Sequence, residues 1–264
     1  MSVFFDYTSS SEYLTNFANE APGGWDELTV SVWAKWLGNN VGYIFSKFAD
    51  GNLIAATTFN APANGTIYCF AQDANSSVAY SYSNTGAFND NDWHHLLYTW
   101  DSTVGRVNIW IDGSQCDTGN VDNGGYALRT VDDVINVGRR PDDTYYWDGY
   151  VEHLGIWNRK LSANEKSLLF PTCRFRPNHP QLVQGLQTYW PLDQPKSGSI
   201  HWSHVGLNDF CVSQAFGDLH GGVSAPDWSE DSPGLNMNPG IPLRPANYGI
   251  DMRIAMHHYK MLKD

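Results

Sequence analysis

The chain has 264 residues, enough to bury one large core or one core plus an appendage. Charged residues make up 17% of it and aromatics 14%, with 11 Trp and 14 Tyr, a mix that favours β-structure and aromatic-rich surfaces over a plain helical or α/β protein. A formal net charge of −12 with no block of Lys or Arg argues against general attraction to nucleic acid phosphate or to an anionic membrane.

The start, Met1-Ser2-Val3-Phe4-Phe5-Asp6-Tyr7, lacks the charged segment, apolar run and cleavage site of a signal peptide, so synthesis in a cytoplasm is expected. From Leu28 the chain reads Leu-Thr-Val-Ser-Val-Trp-Ala-Lys-Trp. The two-residue period puts Leu28, Val30, Val32, Ala34 and Trp36 on one face of a half-buried strand. Short strands follow at 42–48, 53–59, 66–71, 77–82 and 93–100, separated by Gly, Asn, Asp and Ser clusters. In Arg106–Gly113, Val107, Ile109 and Ile111 point inward and Asp112-Gly113 supplies a tight hairpin turn. Strands at 133–138 and 149–157 complete the pattern, which predicts a sandwich or barrel. A short helix is predicted over 161–170, where Ser162 and Glu165 form a capping box and Pro171 stops continuation. No apolar run approaches the roughly 20 residues that cross a bilayer, and the chain is expected to be soluble.

Three stretches carry a resemblance to a known family. They are Glu12-Tyr13-Leu14 with Leu28–Trp33; Asn91-Asp92-Trp93-His94-His95-Leu96 with Val107–Gly113; and Asp148–Arg159 before Leu161-Ser162. Over about residues 3 to 170 the chain resembles the laminin G-like branch of the concanavalin A-like jelly rolls, which includes the pentraxins. The resemblance implies an all-β, antiparallel two-sheet jelly-roll sandwich with a short helix after the last long strand. With the change of composition beyond Phe170, the chain divides into a laminin G-like domain over 1–171, a linker over 172–181, an accessory β-element over 182–231 and an extended C-terminal arm over 232–264.

Leu182–Asp193 reads as another strand, and its Tyr189-Trp190-Pro191-Leu192-Asp193 resembles a strand that often precedes such a domain. Residues 206–228 extend that likeness more weakly. Five prolines fall between Pro226 and Pro245 with few apolar residues among them, the composition of an arm or linker. Within 250–256 apolar and polar residues alternate as in an edge strand. Ile250, Met252, Ile254, Met256 and Tyr259 are the assembly candidates, expected to add a strand to a neighbouring subunit or to lie on a capsid.

Catalytic candidates are not found. Glycan-cleaving jelly rolls carry closely spaced carboxylates on one strand face, because one donates a proton while the other attacks or activates water. No Glu-x-Asp-x-x-Glu arrangement occurs here, and Asp132-Asp133 and Asp142-Asp143 fall in predicted loops. His94 and His95 are adjacent on a strand and point to opposite faces, so they cannot share a metal. His201, His204 and His220, or His257 and His258, lack acidic or cysteine partners at useful spacing. Cys69, Cys116, Cys173 and Cys211 form no Cys-x-x-Cys pair and are expected as free thiols. Asn64-Gly65-Thr66 and Asn75-Ser76-Ser77 match glycosylation sequons and read as chance without a secretory route.

The resemblance makes calcium at the sandwich rim a possible cofactor, with Asp148 and Glu152 at the nearest matching positions. Trp110, Tyr145, Tyr146 and Trp147 are outward or loop candidates for stacking on sugar rings or for protein contact. The resemblance also extends to proteins of tailed bacteriophages. The expected function is therefore a non-enzymatic virion structural protein, a capsid decoration or fibre protein attached through its C-terminal region. Its expected partners are capsid or other virion proteins and copies of itself, as a trimer, and its location is the virion. The alternative is a carbohydrate-binding adhesion module that takes surface glycans.

Overall fold

The computed structural model describes residues 2–5, 13–16, 23–38, 41–49, 52–61, 65–84, 86, 88–123, 125–130, 135–140, 145–172, 180–190, 192, 217–220 and 227–229. Its strands are β1 (Ser2–Phe5), β2 (Tyr13–Asn16), β3 (Glu27–Trp36), β4 (Tyr43–Ala49), β5 (Asn52–Ala61), β6 (Thr66–Gln72), β7 (Val78–Ser83) and β8 (His94–Asp101), followed by β9 (Arg106–Ile111), β10 (Ser114–Gln115), β11 (Asp117–Val121), β12 (Ile135–Val137) and β13 (Gly149–Trp157). Two helices, α1 (Ala163–Thr172) and α2 (Pro180–Val183), precede β14 (Leu186–Trp190), β15 (Gly217–His220) and β16 (Asp227–Ser229).

Two antiparallel sheets result. The first runs β10-β9-β8-β3-β13-β1-β16 with β14 also on β13, and the second runs β11-β7-β6-β5-β4-β12-β2-β15. This is the expected jelly-roll sandwich. Its core holds Leu28, Val30, Val32, Ala34 and Trp36 from β3, opposed by Ile67, Cys69 and Ala71 of β6. The hairpin at Asp112-Gly113 forms as predicted: both residues have positive φ, 51° and 76°, the geometry of a two-residue turn whose twist matches its strands.

Four expectations are corrected. β3 is buried on both faces, since Thr29, Ser31 and Trp33 are as covered as their apolar neighbours. A second cluster explains this: Leu161 and Leu169 around α1, with Leu182, Leu186 and Tyr189, pack on Leu97 and Trp157 across the reverse face of the first sheet. The helix runs to Thr172, one residue past Pro171, although the proline has no amide hydrogen to give to the preceding turn, and ends there. The predicted strand over 182–193 is instead α2, a turn at Gly185 with φ 74°, and then β14. Finally, the sequence reading did not include strands at 2–5 or 13–16. β1 pairs both β13 and β16, and β2 pairs both β12 and β15, so segments from opposite ends of the chain share sheet edges.

β13 organises the first sheet. Its N-terminal half pairs β1 and its C-terminal half pairs β14 on the same edge. Between them the register to β3 jumps from Glu152–Trp33 to Gly155–Ser31, a bulge at which His153 takes φ 53°. The jump turns His153 toward β14.

Candidate functional site: a tyrosine face on the second sheet

On β6 and β7, Ile67, Cys69, Ala71 and Ala79 face the core, so the intervening Tyr68, Phe70, Tyr80 and Tyr82 face away from it. Register aligns them into rows. Tyr43, Thr58, Tyr68, Tyr82 and Thr118 follow one another across β4, β5, β6, β7 and β11; Ser46, Ala56, Phe70, Tyr80 and Val121 form the next row. Tyr43 and Tyr68 are two strands apart, about 10 Å.

The rings pack into one patch. Tyr68 lies 4.8 Å from Tyr82, 5.5 Å from Tyr80 and 5.3 Å from Phe70, all tilted by 38–45°, and Tyr80 meets Tyr82 edge-on at 5.6 Å and 74°. All four are half-buried, so each leaves part of its surface to solvent. Gly119, at φ 60°, brings the β11 backbone against Tyr82, where a Cβ would stand 3.2 Å from the ring. Burial and then the neighbouring Tyr82, Tyr80 and Tyr43 push the Tyr68 phenol above its ordinary range, so it stays a neutral hydrogen-bonding group.

The patch continues toward a loop. Tyr145, 46% exposed at φ 53°, lies 6.1 Å from Tyr43, with the Arg140 guanidinium 5.7 Å above its ring. Arg139 stacks over Tyr13 at 3.2 Å and donates from Nε to Asn136 Oδ1. Chemically this surface offers ring faces and phenol hydroxyls, with guanidinium groups at one end.

Of the sequence candidates, Tyr145 joins this surface and Tyr146 is half-buried beside it in the chain. Trp147 does not: it is fully buried in the core, 6.2 Å from Phe88. The backbone enforces this, because Trp147 N donates to Gly138 O and the chain passes so close to Gly42 that a Cβ there would stand 2.8 Å from Tyr146 O. Trp110 lies on the other sheet, one ring face covered by Lys166 Nζ at 3.5 Å. Asp148 precedes β13 and its carbonyl accepts from Leu37 N, whereas Glu152 is buried inside β13 with Oε1 3.2 Å from His153 Nε2. Four residues of extended chain separate them by about 13 Å. Among the described residues no three His, Cys, Asp or Glu side chains gather as a metal site.

His94 and His95 diverge. His94 donates to Asp112 Oδ2 at 2.6 Å and Asp90 Oδ1 at 2.9 Å, and His95 Nε2 is hydrogen bonded to Ser31 Oγ at 2.8 Å on the other face. Cys69 and Cys116 are not in disulfides, and burial pushes the Cys116 thiol up to about 11. Asp132, Asp133, Asp142, Asp143, His201, His204, His257, His258, Cys173, Cys211 and the arm residues Ile250, Met252, Ile254, Met256 and Tyr259 lie outside the described residues.

The sequence reading missed Tyr43, Tyr68, Tyr80 and Tyr82. The signal was present in Tyr68-Cys69-Phe70 and Tyr80-Ser81-Tyr82, aromatic at every second position of predicted strands. It was ambiguous because aromatic residues fill cores as readily as surfaces.

Fold and face together define an antiparallel β-sandwich with an aromatic surface. The laminin G family model described as "Concanavalin A-like lectin/glucanases superfamily" matches residues 9–165, more than half of the chain, and the chain belongs to that superfamily. A mouse protein, "Sushi, von Willebrand factor type A, EGF and pentraxin domain-containing protein 1", is 30% identical over 117 residues, 41% of this chain and only 3% of that protein. Among solved structures, a heptameric SAP-like pentraxin from Limulus polyphemus matches 66% of this chain and 82% of its own at TM-score 0.52 and 21% identity. A protein of Bacteroides ovatus described as a candidate carbohydrate binding protein matches 86% of this chain and 61% of its own at TM-score 0.56 and 14% identity. At these identities the two structures speak for the fold.

Proposed function

We propose that the protein is a non-enzymatic carbohydrate-binding module whose tyrosine face stacks on sugar rings. The observation that carries this reading is the half-exposed cluster of Tyr68, Tyr80 and Tyr82, with Tyr43 and Tyr145 in line with it. Apolar ring faces flanked by phenol hydroxyls match a pyranose, which presents C–H groups on its faces and hydroxyls around its rim. Membership in a superfamily of lectins and glucanases supports the reading, as does the likeness to the Bacteroides ovatus protein. Because the rings are tilted by 38–74° to one another, they offer separate faces to one flexible soluble chain rather than one plane to a crystalline polysaccharide.

The test is a glycan array followed by calorimetric titration of the best ligand. Tyr68→Ala and Tyr82→Ala are each expected to weaken binding by about tenfold, roughly 1.4 kcal/mol, while Trp110→Ala leaves it unchanged. Equal affinity in wild type and both tyrosine variants would overturn the assignment. Incubation with the bound glycan is expected to release no new reducing ends.

The resemblance to phage proteins adds a finer reading, in which this module decorates a virion and residues 232–264 fix it to the shell. A chain ending at Asp231 is then expected to fold, to lose its oligomeric state and to fail to attach to capsids. Normal attachment of the shortened chain would remove this reading.

A further inference from the structure

The reverse face of the first sheet is covered by residues 163–172 and 180–190, whose Leu169, Leu182, Leu186 and Tyr189 pack on Leu97 and Trp157. Inside this otherwise apolar seam lie groups that an interface built for stability alone would leave out. His95, 2% exposed, forms a three-ring cluster with Trp33 at 5.3 Å and Phe170 of α1 at 6.2 Å, and Phe170 stacks on Trp33 at 6.2 Å. Beside it, His153 Nδ1 is hydrogen bonded to the Tyr189 hydroxyl at 2.6 Å, tying β14 to β13. The buried His95 Nδ1 and Glu152 Oε2 have no hydrogen-bond partner among the described residues.

We propose that residues 163–172 and 180–190 form an acid-released strap: protonation of His95 beneath them undocks α1 and β14 from the first sheet and uncovers Trp33, Leu97 and Trp157.

A charge on His95 would find little to hold it. β3 presents the uncharged Ser31 and Trp33, and α1 presents Phe170. β13 brings Glu152, already beside His153, and β14 brings the Tyr189 hydroxyl, already committed to His153. Asp112, from the β9–β10 turn, favours the charge, but its carboxylate already accepts from the His95 amide and from His94. The Trp33 and Phe170 rings are tilted to the imidazole by 43° and 35° instead of lying face-on to it. Burial, opposed by Asp112 and assisted by His153, therefore holds His95 down at about 4, against the 6.5 it regains once water reaches it. Opening is thus favoured about tenfold per pH unit as pH falls from 6.5 to 4. The strap opens as a loop, because β13 precedes it and β15 and β16 beyond it are hydrogen bonded to β2 and β1.

Hydrogen exchange of the full chain at pH 7, 5.5 and 4.5, corrected for intrinsic exchange rates, tests this. Amides of 163–172 and 186–190 are expected to lose protection about tenfold per pH unit below 6.5, while those of β6 and β7 hold theirs. His95→Gln, which retains a side-chain hydrogen bond to Ser31 without titrating, is expected to abolish that dependence. Should the variant not fold, NMR titration of His95 in the wild type serves instead, its midpoint expected to coincide with strap exposure. Loss of protection in step with β6 and β7, dependence that persists in His95→Gln, or His95 titrating with the strap still docked would each overturn the proposal.

Discussion

His94 and His95 are neighbours in sequence and opposites in electrostatics. Burial of His94 is outweighed by Asp112 and Asp90, which raise it to about 9; burial of His95 dominates and lowers it to about 4. The raised group contributes stability that is full below 6.5 and is lost as pH rises toward 9. The lowered group's contribution is full above 6.5 and is lost as pH falls toward 4. Stability is therefore expected to peak near pH 6.5, with each flank sloping by at most about 1.4 kcal/mol per pH unit. Urea denaturation at pH 5, 6.5 and 8.5 checks this: His94→Gln flattens the alkaline flank and His95→Gln the acid one. That the two rings point apart was legible from strand alternation alone. Their opposite charge states were not, because Asp90 and Asp112 reach His94 through turns, and Phe170 covers His95 from a helix 75 residues away.

At the level of elements, local chemistry was read well and sheet edges poorly. The capping box is present: Ser162 N donates to Glu165 Oε2 at 2.7 Å and Glu165 N to Ser162 Oγ at 3.3 Å. Glu165 also accepts both Arg159 guanidinium nitrogens, and that pairing, against the opposing effect of burial, lowers its carboxyl to about 2. This stabilisation is full above 4.5 and fades as pH falls toward 2. Ser162→Ala is expected to cost about 1 kcal/mol in denaturant midpoint analysis. Gly149 is more demanding: at φ 147° its missing Cβ would stand 2.1 Å from Lys35 O. Gly149→Ala is expected to push β13 from β3 and lower the melting temperature by far more, measured by calorimetry. The strands β1 and β2 escaped the sequence reading because four-residue strands carry too few residues to show a period, and their pairing partners lie far along the chain.

For the whole molecule, the arrangement of edges makes a prediction about truncation. β15 and β16 complete the outer hydrogen bonds of β2 and β1, and every described strand lies before residue 230. A chain ending at Asp231 is expected to keep the calorimetric unfolding transition of the full protein. One ending at Leu192 exposes two strand edges and is expected to melt lower and to associate in light scattering. The sequence alone determined the sandwich, the β9–β10 hairpin and the capped helix, because alternation, turn residues and caps act between residues a few positions apart. Only the tertiary structure decided which aromatic residues face outward. Trp147 is drawn into the core and Tyr68, Tyr80 and Tyr82 are turned out of it, since a ring's face is set by strand register and by what packs behind it. It likewise decided that the reverse face of the first sheet is covered, because residues 163–172 and 180–190 reach it only by folding back over strands that come from the other end of the chain.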